Sequence, residues 1–234
     1  MENTMKLGEN TLKILKNFSE INNSIYIRKN SSLVTVDPQL RIVADADLEQ
    51  KFEKDFAIYN LGEFLAVNSA QPNSSLIFED DRVVFSNKSS GSTLEYFYSD
   101  PTNVQDALPT RNKIPTVFDD TTIVMRFSLS ESDLKTMRVN ASLLSLTHIT
   151  FIGHELGDSP YRVTLEVQDL STKSTQNKFT LGLENAQATK DIRCSMLFEN
   201  LKIISDSYDV ALSPTVAHFV GKNTGVQYWI VLEA

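Results

Sequence analysis

The chain has 234 residues, with 22 Lys and Arg against 30 Asp and Glu and a formal net charge of −8. That balance excludes a simple nucleic-acid binder with a basic surface, although it leaves room for a local basic face. A single cysteine, Cys194, excludes an intrachain disulfide framework and fits a reducing cytoplasm, and 41% hydrophobic with 9% aromatic residues is enough for two cores.

The opening "MENTMKLGEN" has no apolar segment of a signal peptide, and no apolar run approaches the ~20 residues that span a bilayer, so no membrane partner is expected. A helix is expected over about 9–21, where Leu12, Leu15 and Phe18 make an inner face and Lys13 and Lys16 lie outside it. Strands follow in "NSIYIRKN", "SLVTVDP", "LRIVADADL" and "KFEKDFAIY", then a second helix over about 60–70. "SSLIFED", "RVVFSN" and "STLEYFYSD" read as further strands, the first two joined by a hairpin with Glu79, Asp80 and Asp81 at its tip. Residues 99–118 hold Pro101, Pro109 and Pro115 and no periodicity; they read as a link between two domains, 1–110 and 111–234. After the strand "TTIVMRFSL", Ser130-Glu131-Ser132-Asp133 opens a third helix over about 131–145 as a capping box, Ser130 accepting from the third amide and Asp133 reaching back. The remainder, from "LTHITFIGH" to "VQYWIVLEA", is again strand-rich, with a fourth helix expected over about 196–204.

The two halves repeat. "LKILK" at 12–16 aligns with "LKTMR" at 134–138, so that Leu12 and Leu15 match Leu134 and Met137 while Lys13 and Lys16 match Lys135 and Arg138. "DFAIYNLGEFL" at 55–65 aligns with "DIRCSMLFENL" at 191–201. The same order on the same expected elements indicates a duplicated α+β domain whose few helices cover one face of an antiparallel sheet. Lys13, Lys16, Lys135 and Arg138 then form a basic track on an acidic molecule, which Lys202 on the fourth helix can join.

Catalytic constellations are missing from the sequence. Neither a G-x-x-x-x-G-K-[ST] loop nor a G-x-G-x-x-G turn occurs. "GHELGD" begins like a zinc-protease helix, but Asp158 stands where a second His is needed, and His148 and His154 have a poor spacing for metal ligands. Glu79-Asp80-Asp81 reads as a polar hairpin tip, Cys194 as a small buried hydrophobe and Trp229 as sheet packing. No metal, no cofactor and no enzymatic activity are expected.

Four stretches, "MKLGENTLKILKNFSEINNSI" (5–25), "DFAIYNLGEFL" (55–65), "YSDPTNV" (98–104) and the ending "YWIVLEA" (228–234), resemble the DNA sliding clamps of T-even-type bacteriophages. The resemblance covers nearly the whole chain, is clear in the first half and patchy in the second, and is weakest at "GHELGDSPYRVTLEVQDLSTKST". It implies a DNA-clamp fold, with helices lining a ring and antiparallel sheets outside, and a homotrimer around double-stranded DNA without sequence preference. It further implies DNA polymerase, a clamp loader and a late-transcription sigma-like factor as partners, in the cytoplasm of an infected bacterial host. On this pattern the ring closes by pairing Thr93–Tyr98 with Asn177–Leu183 of the next chain, through Tyr96, Phe97 and Phe179, and partner tails dock beside the linker at Val104, Leu108, Ile114 and Pro115. A phage structural or assembly protein is the alternative reading, and an enzyme with an unrecognised site a third; cations recurring between the halves favour the clamp over the former, and the lack of a convergent polar cluster counts against the latter.

Overall fold

The computed structural model describes residues 4–116, 118–156, 159–170, 177–183 and 186–233. Residue contacts group into two units, one of residues up to 40 with 44–111, the other of 41–43 with 112 onward.

The first unit carries, in chain order, β1 (Thr4–Met5), α1 (Glu9–Ile21), β2 (Ile25–Ile27), β3 (Ser32–Val36), β4 (Ile42–Asp47, whose first two residues group with the second unit), β5 (Phe56–Ile58), α2 (Leu61–Ala70), β6 (Ser75–Phe78), β7 (Arg82–Asn87), β8 (Ser92–Phe97) and a short helix α3 (Leu108–Arg111). Helix α1 forms because Ile14, Leu15, Phe18 and Ile21 recur at helical spacing and are buried, leaving Lys13, Lys16 and Glu20 outside. It begins at Gly8 with no side-chain cap of its own; Gln50 supplies one, accepting the Gly8 N–H at 2.6 Å and donating to the Lys6 carbonyl at 2.5 Å. Helix α2 is capped by the Asn60 side chain, which accepts the Glu63 N–H at 3.0 Å, and Phe64 packs it onto Phe85 and Tyr96. The sheet order β1-β6-β7-β8 leaves β8 at an edge, and the expected hairpin is the β6–β7 turn, whose Glu79 and Asp81 pair with the Arg82 guanidinium.

The second unit carries β9 (Met125–Leu129), α4 (Glu131–Leu144), β10 (His148–Leu156), β11 (Ser159–Gln168), β12 (Lys178–Leu183), β13 (Gln187–Ala188), β14 (Ile192–Leu197), β15 (Tyr208–Leu212), β16 (Val216–Gly221) and β17 (Gln227–Val231). Here β12-β11-β10-β14 form one antiparallel sheet with β12 at an edge, and β13-β9-β15-β16-β17 follow one another in a second. Leu134, Met137 and Ala141 bury one face of α4. The Ser130 hydroxyl accepts the Asp133 N–H at 3.1 Å as expected, but the Asp133 carboxylate takes the Ser130 hydroxyl proton at 2.5 Å rather than the Ser130 backbone N–H. Asp158, at the end of "GHELGD", lies outside the described residues.

Two expectations need correction. The helix expected over 196–204 does not form: β14 runs to Leu197, a single 3-10 turn covers Phe198–Asn200, and residues 201–207 are irregular. Cys194 and Met196 are held in strand by pairing with Phe151 and Ile149 of β10. Beyond the turn, side chains take over the backbone hydrogen bonds that a helix would have made internally. Arg138 donates to the carbonyls of Ile203 (2.7 Å) and Leu201 (3.3 Å), Tyr208 donates to the Ile204 carbonyl (2.5 Å), and the Ile204 N–H donates to the Tyr228 hydroxyl (3.2 Å). The other correction concerns the linker, which has structure: 3-10 turns at Pro101–Asn103 and Ile114–Thr116 flank α3, Val104 and Ala107 are buried, and Arg111 pairs with Asp45 at 2.6 Å.

Asp206 closes the irregular segment. Its buried carboxylate accepts from the backbone N–H of Ser207, Asn223 and Thr224 and from the side chains of Asn223 and Thr224. Burial pushes its carboxyl up, but the Thr224, Asn223 and Ser207 donors prevail and hold it below the ordinary carboxylate range. A depressed folded value contributes stability that is present above the unfolded value of about 4 and is lost as pH falls through the folded one. Asp206→Ala should cost about 3 kcal/mol in urea unfolding at pH 7, because buried donors lose their acceptor, and the cost should shrink on acidification. An unchanged midpoint at pH 7 would remove Asp206 from this role.

Candidate nucleic-acid interface

Arg28, Arg82, Arg126, Arg193, Lys54, Lys178 and Lys222 on strands and loops, and Arg111 at the end of α3, each face a carboxylate. Lys6, Lys29, Lys51, Lys88 and Lys190, on loops and turns, are exposed and have no ion-pair partner among the described residues. On the helices, Lys13, Lys16 and Lys135 are exposed and have no ion-pair partner among the described residues. A paired guanidinium is already neutralised, whereas an unpaired ammonium on a rigid helix is available to an outside anion. Glu9 and Glu20 share the exposed side of α1, so its cations sit within a mixed stripe.

The remaining two expected track residues are placed differently. Arg138 occupies the repeat position of Lys16, yet it is half-buried and its guanidinium holds the Leu201 and Ile203 carbonyls. Lys202 is half-buried on the irregular segment rather than on a helix. The second unit therefore offers Lys135 where the first offers Lys13 and Lys16.

The two strands expected to join neighbouring chains are both sheet edges, β8 in the first unit and β12 in the second. An unpaired edge is a template for another strand. Tyr96 is half-buried, donates to the Asn60 carbonyl at 3.2 Å and meets Phe64 edge-on, and burial together with the Glu63 carboxylate pushes its hydroxyl up to about 12. Phe97 is 58% exposed with the Arg82 guanidinium over its ring at 4.9 Å, and Phe179 is half-buried on β12. Tyr59, 65% exposed, lies with Phe97 on a recess of about 810 Å³ that also includes Asn60, Glu63 and Tyr96.

A second concavity, of about 570 Å³, belongs to the second unit and is lined by Phe118, Ile123, Val210, His218 and Val220, with Arg126 and Asp209 at its polar side. His218 stacks flat on Trp229 at 4.6 Å and meets Phe118 edge-on at 5.4 Å; burial holds its imidazole below its ordinary value, so it stays neutral and apolar at pH 7. Leu108 and Ile114 are half-buried and do not line it. Of this wall the linker reading, 99–118, reached only its last residue, Phe118.

Residues considered for chemistry stay apart. Cys194 is buried on β14 and its thiol is pushed up to about 11 by that burial, which makes it unreactive. His148 contacts Glu233 at 3.5 Å while His154 is exposed, and among the described residues no three His, Cys, Asp or Glu side chains converge as metal ligands would.

No family model matches the chain. It is 30% identical over 231 residues to the sliding clamp of Vibrio phage KVP40, across 98% of this chain and 100% of that protein. Among solved structures, PCNA from Thermococcus kodakaraensis superposes with a TM-score of 0.64 at 12% identity over 98% of both chains. A. fulgidus PCNA, solved with the C-terminal region of FEN-1 bound, gives 0.64 at 11% identity over 95% of this chain and 94% of that one. At such identities the structural likeness establishes the DNA-clamp fold.

Proposed function

Because the chain belongs to the sliding clamps of T4-like phages, we propose that three copies of it close into a ring around duplex DNA and tether the replicative polymerase there. The observation that carries this reading lies on the helices: on an acidic chain of clamp fold, Lys13 and Lys16 of α1 and Lys135 of α4, with Lys13 and Lys135 at matching repeat positions, are exposed without an ion-pair partner among the described residues. Ammonium–phosphate contacts carry no sequence information and exchange readily, which suits a protein that must hold DNA and still slide. The protein does no chemistry in this role; it raises the local concentration of a partner at the primer end. Residues 1–110 and 111–234 are its two clamp domains, β8 and β12 its joining edges, and the cytoplasm of the infected host its place of action. The test is primer extension with the phage polymerase, an ATP-driven loader and this protein. Long products that vanish when it is omitted support the clamp; lengths independent of it point to the structural or assembly role instead.

Polymerase, loader and late-transcription factors are proposed to dock short apolar tails in the Phe118–Val220 concavity of the second unit, with the linker as its entry rather than Leu108 and Ile114 as its wall. Three copies per ring offset the weakness of each small contact through effective concentration. Ile123→Asp should weaken a fluorescent peptide from the polymerase C-terminus at least about tenfold in an anisotropy titration, since an unpaired carboxylate must then be desolvated beside the apolar tail. Equal affinity for both proteins would move the docking site elsewhere.

A further inference from the structure

A recess of about 540 Å³ opens on the first unit between two short segments of chain, residues 4–6 and 50–54, over the end of β6 at Ile77 and Phe78. Both walls are fixed. Gln50 ties one to the other, accepting the Gly8 N–H and donating to the Lys6 carbonyl. Two residues on, Phe52 is buried; its N–H donates to the Asn30 carbonyl at 2.9 Å, and its ring meets Phe56 and Phe78 edge-on. With Gln50 and Phe52 held in this way, Lys51 and Glu53 are left outside. The floor is apolar: Met5, Ile77 and Phe78 are half-buried, and Phe78 also packs on Phe56.

The rim is cationic on a chain whose net charge is −8. Lys6 and Lys51 are exposed and have no ion-pair partner among the described residues. Lys54 already pairs with Asp80 at 2.9 Å, so it lends the wall its alkyl stem rather than its charge. Glu53 lines the recess as well. Two unpaired ammonium groups beside an apolar floor suit an occupant with separate negative charges and an apolar group between them. Glu53 and Asp80 disfavour one that is anionic throughout. A nucleic-acid strand carries charge at every phosphate, and Phe78, committed to Phe52 and Phe56, offers little ring for a base to stack on. A peptide can place carboxylates at Lys6 and Lys51 and a neutral residue past Glu53.

We propose that this recess is a second docking site, which takes a short acidic segment of a partner protein: an aliphatic or aromatic side chain enters over Met5, Ile77 and Phe78 while flanking carboxylates meet Lys6 and Lys51. Because Gln50 and Phe52 hold the walls before anything binds, little ordering is needed on this side of the contact. The recess belongs to the first unit and the Phe118–Val220 concavity to the second, so one chain can hold a tail in each. The contact requires neither ring closure nor docking in that concavity.

The test uses the full-length chain and the fluorescein-labelled peptide DDLFEE. Anisotropy should show saturable binding below about 1 mM, the range of a small contact. The peptide DDSSEE, which keeps the charges and drops the apolar pair, should bind at least about tenfold more weakly, and so should DDLFEE to the variant Lys6→Glu with Lys51→Glu. Both lysines are exposed, so the double variant should keep its circular dichroism and its affinity for the polymerase C-terminal peptide. With a benzophenone in place of the phenylalanine of DDLFEE, photolysis should attach the peptide to Met5. No saturable binding, equal binding by the double variant or of DDSSEE, or attachment outside the recess would overturn the site. Displacement of DDLFEE by the polymerase peptide would merge the two sites and overturn this one. A thymidine octanucleotide that binds more tightly than DDLFEE, and loses that binding in the double variant, would make the lysines a nucleic-acid contact and overturn the peptide assignment.

Discussion

Reversing Lys13, Lys16 and Lys135 to Glu together should reduce clamp-dependent product length by about 100-fold or more and leave the protein folded. The three are exposed and unpaired, so each substitution should move stability by no more than ~0.5 kcal/mol. In a ring of three the change replaces nine ammonium groups by nine carboxylates, and the DNA backbone repels each of them. A charge-matched control, Lys54, Lys88 and Lys190 to Glu, alters sheet and loop cations instead and should retain most of the activity. Arg138 is left out on purpose. Its guanidinium holds the Leu201 and Ile203 carbonyls, so Arg138→Glu would confound a charge effect with the loss of about 2 kcal/mol of folding stability. Long products from a loaded triple variant would show that the helices do not face DNA.

The second large effect concerns assembly. Phe97→Asp should shift the mass at micromolar concentration from about 79 kDa, three chains of 26.3 kDa, toward the monomer. Phe97 is mostly exposed, so folding survives; what changes is the edge of β8, where a new carboxylate joins Glu79, Asp81 and Glu95 around Arg82. Burying it against another chain leaves a charge without a sufficient partner. Phe97→Leu keeps the apolar surface and should keep the trimer. If Phe97→Asp remains trimeric, the joining edge is not β8.

Much of the fold was legible in the sequence because local signals agreed with distant packing. Leu12, Leu15 and Phe18 at helical spacing marked α1, although Leu12 is only half-buried and Ile14 completes the buried face, and Ser130 with Asp133 marked the start of α4. The fourth expected helix failed for a reason the local sequence does not contain. "SMLFENLK" has helical spacing, but its first residues are claimed by β10, and the carbonyls that follow are claimed by Arg138, more than sixty positions earlier. The same arginine misled the charge reading. Arg138 stands on α4 as Lys16 stands on α1, yet a guanidinium can bond sideways to several carbonyls where the Lys16 ammonium is exposed. Tyr59 had no pattern to reveal it; only the fold places it beside Phe97.

The replacement of a second helix by a 3-10 turn at Phe198–Asn200 bears on symmetry. Two identical halves per chain would give a closed trimer six equivalent stations. With the long helices α1 and α2 in one unit and α4 alone among the described residues of the other, and with Lys13 and Lys16 answered only by Lys135, the rotational order of such a lining would be three. In the proposed ring, duplex threaded through such a lining would meet alternating strong and weak arcs of positive potential, and its lowest-energy pose would be displaced from the axis toward one strong arc, with three equal poses separated by turns of about 120°. Translocation would then have an angular component built in: DNA following its own helical pitch through the hole would be passed from one arc to the next.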